Sequence, residues 1–427
     1  LKNKKYTTSF AIFHQRYSTN TFPQWHLAQP FRMMAHNGEI NTIRGNRNLM
    51  RAREGTDIHG IWGDRFADLM PIVQPDMSDS ASFDNALQLI TLGGRSAMHS
   101  AMMMMPPSWQ TNPELSDNLR GFYEYHGCVL EPWDGPAAIA FTDGRYVAAS
   151  LDRNGLRPAR YKIYEDGTVL LASELGLIDE TDMKTVRSGR LGPGKMIAID
   201  TVGKKFLDND EIKENIAQDS RFSDWCREHL INVQEFAKDS SVPHAKAEDE
   251  DIKPQLAFGY EKDEYNVILK PMAENGQEAL GSMGDDTPLA FLSRKPRLLY
   301  TYFKQLFAQV TNPPIDSIRE RPVMSVNMYI GGRLGLFEDM PQSSSFAFTN
   351  SPVLFNHELD SLFNMSFLKD RVSRLDVTFD ASTGEAGLEQ ALKDLAARAE
   401  TTVKEKSSKV LILSDRGVSK KKAAIPI

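Results

Sequence analysis

Cysteine is almost absent from this 427-residue chain: Cys128 and Cys226 are all it has. Two thiols in so long a chain build no disulfide framework and fit a reducing compartment. Long apolar runs are missing too, since none approaches the roughly 18 residues expected of a membrane helix. Neither sign of charge dominates. With 50 Lys+Arg against 57 Asp+Glu the chain is mildly acidic, which gives no reason to invoke nucleic acid. The basic run Lys420-Lys421-Lys422 is shorter than nucleic-acid motifs and reads as a solvated loop. Leu1-Lys2-Asn3-Lys4-Lys5 has no apolar core after it, so no secretory leader is expected. A start without Met and an abrupt end at Pro426-Ile427 read as an interior piece of a longer polypeptide.

What is present is an ordinary globular composition, 41% hydrophobic, in a chain long enough for two or three cores. Residues 1–205 read as β-rich with two helical stretches. Strand signals lie at Ala137–Phe141, Tyr146–Ser150, Val169–Ala172 and Met196–Ile199, each short, apolar and bounded by turn residues. Phe10 to Phe13 is apolar enough for a further buried strand that Pro23 would stop. Asp143-Gly144 and Asn154-Gly155 look like hairpin connections. Residues 206–253 turn charged and helical, and Lys238 to Asp251 has too few large hydrophobes to pack a core. The domain boundary is expected there. Residues 254–427 follow: helical spacing at Tyr265–Leu269 and Pro296–Phe303, then strand, helix and parallel strand around Leu375–Phe379, Leu388–Ala399 and Val410–Leu413.

The chemistry concentrates in three places. In Ala35-His36-Asn37-Gly38-Glu39-Ile40-Asn41, Gly38 lets backbone approach a ligand closely, and the Asn37 amide can stand beside the Gly38 N–H. Two donors fixed on one short turn suit a developing oxyanion. Arg16, near the end of the first apolar run, can grip a carboxylate through two parallel hydrogen bonds. Asp79, in Met77-Ser78-Asp79-Ser80, can receive an ammonium. Together they describe a site for an α-amino acid with a reactive side-chain carbonyl. Each also has a plainer reading. Asn-Gly is a hairpin turn, Arg16 a solvated charge, and Asp79 or Ser80 an N-cap with Phe83 as staple for the helix carrying Ala86, Leu87, Leu89 and Ile90.

Arg16-Tyr17-Ser18-Thr19-Asn20-Thr21, His36-Asn37-Gly38-Glu39-Ile40-Asn41 and Ser78-Asp79-Ser80 resemble the class II glutamine amidotransferase domain of the glutamate synthases. Glu131 to Ala138 and Leu151 to Tyr161 carry the same resemblance. Pro271 to Gly276, Gly281 to Leu289 and Tyr302 to Asp316 resemble the central domain of the same large subunit. The resemblance is dense from about residue 6 to residue 325. It implies an α/β and α+β multidomain chain, with an N-terminal nucleophile hydrolase-like α/β/β/α sandwich followed by an α/β central domain.

For the site, the resemblance implies that Arg16 binds the glutamine α-carboxylate, Asp79 the α-ammonium, and Asn37 with Gly38 the oxyanion, while His36 and Glu39 shape the turn. An N-terminal cysteine would be the nucleophile and its own amine the base. Neither Cys128 nor Cys226 is terminal, so the chain as written is expected to lack glutaminase activity. Cys128 reads as a small hydrophobe before an apolar strand, and a Cys128–His126 dyad lacks a group to orient the histidine. Ammonia would pass to a flavin site for reductive amination of 2-oxoglutarate. Met283 and Asp285 would lie near that flavin. FMN and an iron–sulfur cluster are expected of the parent enzyme, whose flavin domain, and a small electron-donating subunit or ferredoxin, would be partners. No metal site is expected in this chain. A cytoplasmic or plastid-stromal location follows from the same resemblance. The competing reading is a freestanding amino-acid-binding or regulatory module. An asparagine synthetase would carry a Ser-Gly-Gly-x-Asp phosphate loop after residue 200, and none is there. Limited proteolysis is expected to cut between Lys238 and Lys253, where little is buried; resistance there with cleavage inside residues 137–172 would contradict the boundary.

Overall fold

Ala137, Ile139 and Phe141 alternate with half-buried neighbours, and the alternation gives one side of a strand to a core. The structure, a computed structural model, describes residues 3–15, 22–55, 61–174, 176–239, 255, 257–262, 264–276, 291–294 and 317–426. By their contacts they divide into one unit of residues 1–236 with 311–353 and a second of 237–310 with 354–427.

The first unit is built on a five-stranded antiparallel sheet. Its strands are β1 (Met34–Gly38), β2 (Ala137–Thr142), β3 (Tyr146–Leu151), β7 (Met196–Asp200) and β8 (Lys205–Leu207), in that spatial order. A three-stranded sheet of β4 (Arg160–Tyr164), β5 (Val169–Ala172) and β6 (Thr185–Arg190) has β4 in the middle. Ala149, Leu151 and Ile197 from the first sheet pack with Tyr161 and Leu171 from the second, so the two sheets share a small core. Ala137, Ile139, Phe141 and Ala198 feed the larger core, where α2 (Asp79–Leu92), α3 (Ala97–Met104) and α4 (Asp117–Val129) cover the sheet. The helix α1 (Ile43–Arg53) is tied to that core by Arg53, whose guanidinium grips both oxygens of Glu131 at 2.9 and 2.7 Å.

Several expectations meet corrections here. Among the described residues Phe10–Gln15 joins no strand, and Phe13 is 73% exposed. Asn154-Gly155 is not a hairpin, because β3 and β4 belong to different sheets. The turn is closed by the Asp152 carboxylate, which accepts the N–H groups of Asn154 and Gly155 at 2.9 and 3.2 Å. Cys128 lies in the last turn of α4, not before a strand. Residues two apart on a helix point to different sides, so His126 cannot pair with Cys128 along one face. His126 instead sets its Nε2 2.9 Å from the Nε2 of His99 on α3.

The stretch after residue 205 is more than a linker. Helices α5 (Asn209–Ala217) and α6 (Arg221–His229) bury Ile212, Phe222 and Cys226 in the main core. At Gly121 the crossing of α4 and α6 is so close that a Cβ would meet Ser223 Cα at 2.6 Å. Residues 317–353, expected with the third region, belong with the first unit. Strand β9 (Leu230–Asn232) pairs in parallel with β11 (Phe346–Thr349), which pairs with β10 (Met328–Ile330). Arg95 donates to Leu336 O and bonds Asp339 at 2.7 Å. Arg333 caps α4 at the carbonyls of Gly127 and Cys128.

In the second unit, β12 (Val372–Asp376) and β14 (Val410–Ser414) pair in parallel across the 23-residue helix α7 (Gly384–Lys406), the expected strand, helix, parallel strand. The alternation of Leu375, Val377 and Phe379 is split between β12 and β13 (Thr378–Asp380), and β13 pairs instead with β15 (Lys422–Ala424). Pro296–Phe303 lies outside the described residues.

Glu131→Leu takes both carboxylate bonds from the buried Arg53 guanidinium, so we expect a loss of about 3–5 kcal/mol in urea unfolding followed by tryptophan fluorescence. A change within error would mean that the pair is not buried in solution.

Candidate functional site

The Asn37-Gly38 turn ends β1, where Asn37 stands opposite Ala138 and Gly38 opposite Ala137. Beyond it the chain stays against residues 134–136: Glu39 N–H donates to Pro136 O at 3.0 Å and Asn41 N–H to Asp134 O at 2.7 Å. Gly38 has φ +145°, and a Cβ there would fall 1.8 Å from Pro136 O. Across the contact Gly135, at φ +152°, would place a Cβ 2.0 Å from Glu39 O. Two backbones therefore touch where no side chain fits, and each glycine is required by the other strand.

The opposite strand is itself fixed. Asp152, fully buried, accepts Ala137 N–H at 3.0 Å, and burial raises its carboxyl despite three backbone donors. Arg153 pairs with Asp134 through two bonds of 3.2 and 2.7 Å.

Helix α2 holds the turn from its other side. Its N-cap is Ser78, whose hydroxyl accepts Ala81 N–H, so Asp79 is freed from capping and sits in the first turn. Asp79 Oδ2 accepts Ile40 N–H at 2.9 Å, and Oδ1 accepts the Ser80 hydroxyl at 3.3 Å. One turn on, Asp84 accepts Met33 and Met34 N–H at 2.9 and 3.1 Å. Burial raises the Asp84 carboxyl, and those backbone donors pull it back down. The Asn37 carboxamide, half-buried, makes no hydrogen bond among the described residues, which leaves its N–H free for a ligand.

His36, 2% exposed, lies directly under the turn. Its N–H donates to Gln29 Oε1 at 2.6 Å and its Nδ1 is 2.8 Å from Ser80 Oγ. Burial pushes the imidazole down to about 4; Asp79 works against that, and Arg157 and His14 add to it. The ring is neutral at neutral pH.

The structure thus brings Asn37, Gly38 and Asp79 together, joined through Ile40. Arg16, Met283 and Asp285 lie outside the described residues. Sequence reasoning gave no role to Asp84 or Asp152 and offered Ser80 as an N-cap, a place that Ser78 takes. Cys128 and Cys226 are unfit as nucleophiles: both are buried, and burial pushes the Cys128 thiol up to about 12 and the Cys226 thiol higher still. Among the described residues no group of three or more His, Cys, Asp or Glu could hold a metal ion, and no helix is long and apolar enough to cross a membrane.

Unfolded histidines titrate near 6.5, and burial lowers His36 to about 4, His99 to about 3 and His126 in the same direction. Between about 6.5 and about 4 the unfolded chain binds protons that the folded chain refuses, so their contribution to stability rises with pH and is complete above that window. The raised carboxyls of Asp84 and Asp152 act oppositely. The difference between proteins is therefore the readout: the urea midpoint of His36→Asn should fall less than that of the wild type between about pH 7 and about pH 5. Equal falls would contradict a buried neutral His36.

Comparison with known proteins gives consistent matches. Residues 1–225 match the family of glutamine amidotransferases class-II, and residues 253–427 match the glutamate synthase central domain. The whole chain is 43% identical to the NADH glutamate synthase of Schizosaccharomyces pombe, covering 21% of that protein. It is 43% identical, again over its whole length, to the chloroplastic ferredoxin-dependent glutamate synthase of Oryza sativa subsp. japonica, covering 26% of it. With the NADPH glutamate synthase large chain of Azospirillum brasilense the identity is 40%, over the whole chain and 28% of the relative. The chain spans roughly a quarter of the length of the curated relatives it matches, with coverage of 21–28%.

Proposed function

Because the chain belongs to the class II glutamine amidotransferases and carries the glutamate synthase central domain, we propose that it is the glutamine-using portion of a glutamate synthase. In this reading Arg16 binds the α-carboxylate of glutamine, Asp79 its α-ammonium, and Asn37 with the Gly38 N–H the oxyanion that forms when a cysteine thiolate attacks the side-chain amide. The observation that carries it is the bond from Ile40 N–H to Asp79 Oδ2, 2.9 Å, which fixes a carboxylate beside a turn with an uncommitted amide donor. A carboxylate already held by one backbone N–H keeps its charge in place for an ammonium.

The cysteine nucleophile would be the first residue of the processed enzyme, with its own amine as base. Ammonia would leave for a flavin site where 2-oxoglutarate is aminated and reduced, with Met283 and Asp285 near that flavin. FMN and an iron–sulfur cluster would be held by other parts of the enzyme. Two buried cysteines do not fit a four-thiolate cluster, and no step is assigned to such a group in this chain. The partners would be glutamine, the flavin domain of the same polypeptide, and a small electron-donating subunit or ferredoxin. A cytoplasmic or plastid-stromal site of action fits such a reaction.

The test is ammonia release by the parent enzyme with its terminal cysteine in place. Asn37→Ala is expected to cost about a hundred- to thousand-fold in kcat, the loss of one oxyanion donor, with KM within a few-fold. Glutamine binding with no ammonia release in any form would favour the freestanding binding module. Unchanged kcat in Asn37→Ala would remove the oxyanion role.

A further inference from the structure

Ser80 has one hydroxyl hydrogen, and it goes to Asp79 Oδ1 at 3.3 Å. Its oxygen must then accept from the other neighbour, the His36 Nδ1 at 2.8 Å. With Ser80 donating to Asp79, the neutral imidazole is the Nδ1–H tautomer, with the lone pair on Nε2. The Nε2 atom is buried without a hydrogen-bond partner. An unpartnered buried nitrogen is a cost that leucine or methionine at this position would avoid. The histidine is therefore explained by what its other nitrogen does.

We propose that His36 is a positioning residue for the proposed ammonium site, acting through Ser80 to aim the Asp79 carboxylate. The proposal rests on the glutamine reading of the site. The relay runs from His36 Nδ1–H to Ser80 Oγ–H to Asp79 Oδ1, while Ile40 N–H holds Oδ2. Both carboxylate oxygens are thus tied from directions that leave their remaining lone pairs for an ammonium. His36 and Ile40 flank the Asn37-Gly38 turn, so the same carboxylate is referenced to both sides of the oxyanion donors. Without Ser80 as donor the carboxylate can rotate about its last bond and swing one oxygen away from the ligand. The imidazole does not touch substrate, and it transfers no proton.

The experiment compares two ligands on the full chain by isothermal titration calorimetry: L-glutamine, and 4-carbamoylbutanoate, which is glutamine without its α-amine. Ser80→Ala and His36→Leu are expected to weaken glutamine about tenfold, the scale of one charge-assisted hydrogen bond, and to leave 4-carbamoylbutanoate unchanged. His36→Asn, whose amide N–H can replace the Nδ1–H, should restore most of the glutamine affinity. Nitrogen-15 NMR of the imidazole should report the Nδ1–H tautomer. Equal weakening of both ligands would mean that the turn has collapsed and would overturn the relay, as would an Nε2–H tautomer. Asp79→Asn that leaves glutamine binding intact, or a wild-type chain that binds neither ligand, would instead overturn the glutamine reading and the relay's purpose with it.

Discussion

One helix holds both ends of one strand, and the site depends on that grip. Asp84 takes the N–H groups of Met33 and Met34 where β1 begins, and Asp79 takes Ile40 N–H just after it ends. Carboxylates that accept backbone N–H groups make bonds stronger than neutral ones, and burial of Asp84 shields them from competing water. Among the described residues the strand lies at the edge of its sheet, beside β2. Its alignment is therefore set from two directions, by the ladder on one side and by two side chains of α2 on the other.

The rest of the site stacks on that arrangement. Gly38 and Gly135 allow the turn to lie directly on residues 134–136, and Asp152 fixes the far strand by bonding Ala137 N–H. The turn is thus anchored mainly by backbone and by carboxylates bound to backbone. Among the described residues the Asn37 carboxamide stays uncommitted, which is what a donor needs if it is to meet charge that develops during a reaction. Rigid surroundings with one free donor are the form of preorganisation that costs no rearrangement at the moment of reaction.

Much of the scaffold was legible. The strands at residues 137–142, 146–151, 169–172 and 196–200 announce themselves by short apolar runs between turns, and helix Gly384–Lys406 by its spacing of Leu388, Leu392 and Leu395. Asn37, Gly38 and Asp79, singled out for the chemistry their residue types can do, lie together through Ile40. What stayed hidden is what leaves no period in the sequence. His36 meets Ser80 across 44 positions and Asp84 meets Met34 across 50, and neither separation marks the chain locally. The run Cys128-Val129-Leu130 reads alike as the end of a helix or the start of a strand, and only the packing of α4 on α6 decides for the helix. Phe10–Gln15 fails in the opposite way, having strand-like residues and joining no strand among the described residues.

The pairing of β9 with β11 has a consequence for the order in which the protein is made. The first unit is interrupted in sequence: its parts at residues 1–236 and 311–353 are separated by a long stretch of the second. When residue 236 leaves the ribosome, β9 has no neighbour, and the carbonyls of Gly127 and Cys128 still lack the Arg333 that will cover them. At typical rates of synthesis the missing piece arrives on the order of ten seconds later. Through that interval the nascent chain carries an open strand edge and the half-covered helices α4 and α6. The sandwich can nucleate early around its local hairpins, but its last layer is laid down only after much of another domain has been translated.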